Sequence, residues 1–298
     1  MTKALFICLT LFFITNTTIT AQLSDLARIE YVGLPESSNG GASFNQYRAL
    51  INYPIKLKKE GSFFIVGLDY RYISFNVDET LLNFESEELS EFKQLSLSLG
   101  YTYKINKDWR FGAQIQPGYS TNLEVSDITF NDATFSSSVI FLKDKTKDIE
   151  DGKKPYRLIL GLRVSGNGGF PILPFISYFK KFAPKWSYNL GVPKTQLQYH
   201  LNEKNRLKLV ARIDGFRSRL QNDIIVQPNG ANAEIIRQRL IVSGLRYEYK
   251  FTKHLEFYFN GSYILDNSIE LRNTSNNSVF DFQEDNSFYI KTGIRFKI

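Results

Sequence analysis

The sequence predicts an all-β fold: a closed antiparallel transmembrane β-barrel of about fourteen strands, with twelve as the alternative count. Three observations lead there. Apolar and polar residues alternate with period two in segment after segment, which puts successive side chains on opposite faces of an extended chain. Short polar turns alternate with longer polar stretches. The chain is rich in aromatics (25 Phe, 17 Tyr and 2 Trp), yet its mean hydropathy is only −0.25. A barrel meets both conditions, because every second residue faces lipid and aromatic girdles sit at the two interfaces. No apolar run after residue 21 approaches the roughly 20 residues that a spanning helix needs.

Residues 1–21 read as a removable secretory signal. Lys3 supplies the basic start, Ala4 to Ile14 the apolar stretch, and Ile19-Thr20-Ala21 the small-residue site before Gln22. Cys8, the only cysteine, lies inside this segment, and Ile7 before it is too bulky for a lipoprotein site. The mature chain is therefore expected to hold no disulfide and no thiolate metal site. Two histidines, His200 and His254, leave little for an all-histidine site, and no cofactor is expected.

Residues 22–298 read as one barrel domain. A weak strand lies near Leu26–Leu34. Tyr47, Ala49, Ile51, Tyr53 and Ile55 then alternate up to the turn Lys58-Lys59-Glu60-Gly61, and Phe64, Val66, Leu68, Tyr70 and Tyr72 lead away from it. Leu95, Leu97, Leu99, Tyr101, Tyr103 and Ile105 share one face, opposite Ser96, Ser98, Gly100, Thr102 and Lys104. After Asn106-Lys107-Asp108 the apolar face resumes at Trp109, Phe111, Ala113 and Ile115. Similar segments begin at Tyr156, Trp186, Leu197, Leu207, Leu245 and Leu255. Stretches near 77–92, 120–133, 215–233 and 267–286 read as long outer loops, while the short turns, with the longer 143–154 connection, fall on the periplasmic side.

The last segment is the most specific. Phe288, Ile290, Ile294, Phe296 and Ile298 share a face with Thr292, against Tyr289, Lys291, Gly293, Arg295 and Lys297. This resembles the C-terminal targeting strand of outer-membrane proteins, in which the final residue is usually aromatic; here it is Ile298. Taken whole, residues 22–298 resemble uncharacterised outer-membrane barrel families of Gram-negative bacteria, many known only as domains of unknown function. The resemblance implies residence in the outer membrane, contact with its lipid, and insertion by the barrel-assembly machinery.

If apolar phases face lipid, the opposite phases deliver charge to the lumen: Arg71, Lys104, Arg110, Arg157, Arg163, Lys208, Arg212, Arg246, Lys291 and Arg295, against Asp69, Asp214, Glu248 and Glu256. Arg or Lys on the lipid face near the midplane costs roughly 2–4 kcal/mol. Such a lumen either favours a small anionic solute, by the logic of charged pore rings, or packs a narrow barrel as a hydrogen-bonded plug. The formal charge of +7 is spread along strands rather than gathered in a run, so nucleic acid is not expected as a partner.

Gly166-Asn167-Gly168-Gly169 lacks the Lys-Ser/Thr and the helix of a phosphate loop. The acids Asp144, Asp148, Glu150 and Asp151 are interleaved with lysines at no EF-hand spacing. Two alternatives to a conducting, binding or structural barrel stay open. A barrel enzyme acting on lipid or peptide would need His200 or His254 within reach of a serine or an acid. A soluble exported β-sandwich would bury the Leu95/Leu97/Leu99 face against a second sheet.

Overall fold

The computed structural model describes residues 25–35, 42–77, 82, 84, 87–122, 128–146, 154–226, 230–282 and 287–297. The proposed signal and Ile298 lie outside them. The strands are β1 (Ala27–Leu34), β2 (Ala42–Lys56), β3 (Phe63–Val77), β4 (Glu91–Lys104), β5 (Trp109–Thr121), β6 (Ala133–Lys145), β7 (Tyr156–Val164), β8 (Ile172–Ala183), β9 (Trp186–Val192), β10 (Lys194–His200), β11 (Asn205–Val226), β12 (Ala231–Lys250), β13 (Leu255–Arg272), β14 (Ser278–Phe282) and β15 (Phe288–Phe296).

Each strand from β1 to β13 pairs antiparallel with the next. β15 then joins β13 to β1, with Phe296 opposite both Leu255 and Ala27. The result is a closed ring of fourteen strands, and β14 stands outside it as a short hairpin on the far end of β13. Closure matters because an apolar strand edge left open would pair with other chains.

The apolar phases point outward. Ile29, Tyr53, Leu68, Leu97, Leu209 and Leu245 are all exposed on the barrel's outer surface, as lipid contact requires. Among the described residues there is one sheet and Leu97 is exposed on it, against the burial that a sandwich would require. Aromatics gather toward the end that carries the short turns: Tyr101, Tyr103, Phe111 and Phe141 form a continuous file at 5.3–5.7 Å, and Trp186 lies 4.8 Å from Tyr199. This is the girdle expected at one membrane interface.

Two stretches read as loops are strand instead. β11 runs on to Val226 and β12 starts at Ala231, so most of 215–233 is paired, and β13 extends to Arg272. The reason is a change of phase. Below residue 214, β11 shows its apolar residues to lipid (Leu207, Leu209). Beyond it, Phe216 and Leu220 are fully buried inside, while Arg217 and Arg219 occupy the other phase. Polar residues in the lipid-facing phase disguise a strand that has left the membrane.

Strand lengths are uneven for the same reason. A tilted strand crosses a bilayer in roughly 9–11 residues. β11, β12 and β13 have 22, 20 and 18, whereas β9 and β10 have 7 each. The long strands cannot stand alone in water with apolar inner faces, and they fold across the barrel. At Arg219 β11 meets β5 directly, in a parallel bridge to Thr121 that bypasses five strands. The space so enclosed is filled by an apolar core. Phe216 stacks on Phe44 at 5.4 Å and leans on Phe92 at 5.8 Å, with Ile73, Phe75, Leu240 and Ile264 around them.

Candidate functional site: a charged chamber beneath an apolar plug

The inner face divides into two levels and two walls. At the loop end lies the plug just described. The kink that starts it is Gly215, at φ +141°, where a Cβ would meet the Gln238 carbonyl oxygen at 2.2 Å. Gly169, in the β7–β8 loop, approaches the same oxygen equally closely, so two residues without side chains let three backbone segments meet. The Arg217 carbonyl then accepts hydrogen bonds from Gln94 Nε2 (3.0 Å) and Ser120 Oγ (2.8 Å), both buried on the opposite wall. The Arg217 N–H donates to the Asn167 carbonyl at 3.1 Å, and the Gln221 N–H to Asn122 Oδ1 at 3.0 Å. These bonds hold the β11–β12 extension shut across the mouth. Above them, a cavity of about 210 Å³ opens between Ser120, Thr134, Phe135, Gly166, Arg217 and Arg219.

Beneath the plug, one wall (β1–β3, β10–β13 and β15) carries a dense ion-pair network. Glu248 is its hub, 2.8 Å from Arg206, Lys208 and Arg246 and 3.0 Å from Arg295. Glu256 takes Arg206 and Arg295 in turn, with Arg295 Nε donating at 2.7 Å. Arg246 lies 4.0 Å over the ring of Tyr258, whose hydroxyl donates to Glu30. Lys291 reaches Glu30 at 2.7 Å and Asp214 at 3.6 Å; Asp214 also pairs with Arg212 and accepts from Tyr289 Oη at 2.7 Å. A second knot joins Arg48 to Asp69 through two bonds, 2.9 and 2.6 Å, with Arg71 at 3.5 Å.

Facing this wall, β5 to β10 turn mostly small or neutral side chains inward. Gln114, Gln116, Ser138, Ser177 and Asn189 are only half-buried although they point inside the ring. Half-exposed residues on the inner phase of a closed barrel border space, so this wall lines a chamber. Arg163 stands on it, donating to Gln116 Oε1 at 3.1 Å.

The predicted lumen residues thus fall into three groups. Arg71, Asp69, Lys208, Arg212, Asp214, Arg246, Glu248, Glu256, Lys291 and Arg295 belong to the network. Arg163 lines the chamber. Arg110, Arg157 and Lys104 do not join them: Arg110 bonds the Gly61 carbonyl at 2.8 Å in the β2–β3 turn, Arg157 pairs with Asp144 at 2.9 Å, and Lys104 is exposed at the turn end. Phe288, Ile290, Ile294 and Phe296 line the lipid face of the closing strand.

The sequence reading missed Glu30, Arg48, Lys194 and Arg206 on the inner phase. Each alternates with outward neighbours such as Ile29, Tyr47 and Leu207, so the signal was present. Glu30 lies on the weakly patterned β1 and Lys194 ahead of the alternation that starts at Leu197, whereas Arg48 and Arg206 follow directly from the phase of Tyr47 and Leu207. The plug foreseen was one of hydrogen-bonded charges; the apolar one at the loop end was missed. Its signal is the paired appearance of apolar residues on the inner phases of β2, β3 and β4 at one end only: Phe44, Ile73, Phe75 and Phe92.

His200 does lie near a serine. Its Nε2 is 3.2 Å from Ser187 Oγ, but the same nitrogen is 2.7 Å from the Gln198 amide, and Ser187 is fully buried. His254 Nδ1 is 3.0 Å from the carbonyl oxygen of Lys297. Among the described residues no cluster of His, Cys, Asp and Glu has the makings of a metal site.

Fold and interior together define an integral transmembrane β-barrel with a charged, half-filled lumen. By the match of its family model over residues 21–297, the chain belongs to the family described as "Domain of unknown function (DUF6268)". No curated protein matches it. Among solved structures it is similar to the KdgM porin (10% identity, covering 91% of this chain and 99% of that one, TM-score 0.38). It is also similar to an outer-membrane channel from Pseudomonas putida F1 (10%, 95% and 100%, TM-score 0.45). A third is the P. putida toluene transporter TodX (10%, 92% and 91%, TM-score 0.36). At such identities and scores, function has to be argued from this chain's own residues.

Proposed function

We propose that this chain is a narrow, gated outer-membrane channel that admits a small anionic solute from the periplasmic side. In this reading the short-turn end is periplasmic, as barrels of this class arrange it. One observation carries the proposal: cations outnumber acids on the packed wall, and they face a half-exposed neutral wall rather than a matching set of carboxylates. A low-dielectric passage with such an excess raises the local concentration of anions and repels cations. The apolar plug closes the outward path, so conduction requires the β11–β12 extension to swing away from Gln94 and Ser120.

Planar-bilayer recording on refolded protein tests this. The expected result is rare, small openings whose reversal potential in a salt gradient favours anions. Cation preference, or silence in both the native chain and a variant lacking the Gln94 and Ser120 donors, would remove the channel. A hydrolase reading would rest on Ser187 and His200. The burial of Ser187 and the Gln198 amide on the same histidine nitrogen favour a structural hydrogen bond instead.

A further inference from the structure

Lys194 stands apart from the other lysines and arginines of the packed wall. It opens β10 on the inner phase, directly opposite Arg212 of β11. Its neighbours in that wall all have acids: Arg212 pairs with Asp214, Lys208 and Arg246 with Glu248, Arg295 with Glu248 and Glu256, and Lys291 with Glu30. Among the described residues, no carboxylate pairs with Lys194. The charges that act on it most strongly are Lys208, Arg246, Arg212 and Arg295, all of its own sign. Yet it is not walled off, being half-buried on the inner face where β10 borders the chamber.

An unpaired ammonium among like charges, away from bulk water, is expensive to maintain, and charge-assisted hydrogen bonds to an anion are what relieve it. The local chemistry suits one. Gln196, two residues along on the same face, has a buried carboxamide oxygen with no partner. Carboxamide oxygen and nitrogen are assigned by their bonding, so a half-turn presents its NH₂ in the same place. Asn189 is already committed, accepting from Ser177 at 2.5 Å and donating to the Lys194 carbonyl at 3.1 Å, which holds the backbone beneath the ammonium still.

We propose that Lys194, with the Gln196 amide beside it and Arg212 across the strand pair, forms a binding site for a single oxyanion group, carboxylate or phosphate, of a solute that enters the chamber. The proposal rests on the chamber reading above and assigns its contact point. Lys194 and Gln196 supply hydrogen bonds; Arg212, held by Asp214, adds field.

Calorimetric titration of the detergent-folded barrel at low salt tests it, with inorganic phosphate and acetate as separate probes. Saturable binding of at least one is expected. Binding of phosphate alone assigns the site to phosphate groups, and binding of both assigns it to oxyanions generally. Lys194→Gln should weaken binding at least ten-fold. Lys194→Arg should stay within a few-fold, and Lys104→Gln, at the exposed turn end, should match the native chain. Heat-modified gel mobility establishes that each variant is folded. Undiminished binding in Lys194→Gln, or no binding to the native chain by either probe, overturns the site. The two readings separate cleanly: anion-selective current with Lys194-independent binding sinks the site alone, whereas Lys194-dependent binding without current sinks the channel alone.

Discussion

Glu248 shows how much a single side chain holds in this interior. It is 1% exposed and answers four cations from three strands, Arg206 and Lys208 of β11, Arg246 of β12 and Arg295 of β15. Charges taken out of water are tolerated only when their partners are in place, and removing one partner of a buried pair typically costs about 3–5 kcal/mol. Glu248→Gln keeps the shape and deletes the charge, leaving Lys208 and Arg246 with no carboxylate and Arg206 and Arg295 to share Glu256. We expect it to lower the unfolding free energy of the barrel by about that amount, read as a lower midpoint in guanidinium unfolding from lipid vesicles. Replacing Arg157, whose pair with Asp144 is half-exposed near the turn end, should shift the midpoint by no more than about 1 kcal/mol. Equal effects would mean that the network is solvated rather than buried.

At the scale of the element, the β11–β12 extension is the part whose behaviour decides whether solute passes. Its apolar face is anchored by Phe216, between Phe44 and Phe92, and its rim by the two donors on the Arg217 carbonyl. Those anchors differ in kind. Loss of Phe216 would open a cavity and destabilise the core by roughly 3–5 kcal/mol. Loss of the Gln94 and Ser120 donors leaves the core intact and merely releases the rim, each hydrogen bond contributing about 0.5–1.5 kcal/mol. The double variant Gln94→Ala with Ser120→Ala is therefore expected to stay folded, to open more often in bilayers, and to exchange the amide protons of residues 217–226 and 231–240 faster. Unchanged exchange would show that the donors do not hold the extension. This element also marks where sequence reading stopped. Period-two alternation is legible while one phase meets lipid, as at Leu207 and Leu209. Past Gly215 the phase that carries apolar residues changes sides, because the strand has left the membrane and its greasy face turns inward to Phe44 and Ile73. Lumen charges such as Asp69 and Glu248 were readable by elimination, since they occupy the phase opposite Leu68 and Tyr247. Which of them meet was not readable, because partners such as Glu30 and Tyr258 lie 228 residues apart in sequence.

For the whole molecule, the governing proposition is that the outward face of each ring strand, along the part that spans the membrane, meets acyl chains at a depth set by its position along the barrel. That makes a single charge a depth gauge. Leu97 sits midway along β4 with Leu68 of β3 opposite it, exposed among apolar neighbours. Ile105 lies on the same phase one residue past the end of β4, beside the Tyr101–Tyr103 aromatics, and is equally exposed. In water the two sites would tolerate arginine alike. In a bilayer they cannot, because arginine costs roughly 2–4 kcal/mol at the midplane and about 0–1 near the interface. Leu97→Arg should therefore reduce folding into vesicles by one and a half to three orders of magnitude in equilibrium constant, about 1.4 kcal/mol for each ten-fold, while Ile105→Arg stays within roughly ten-fold of the native chain. The contrast should vanish in short-chain detergent, which lets water reach both positions. If the two variants fold alike in lipid, the exposed belt is not a lipid contact, and the outward orientation on which the chamber, its charge and its closure all depend would have to be abandoned.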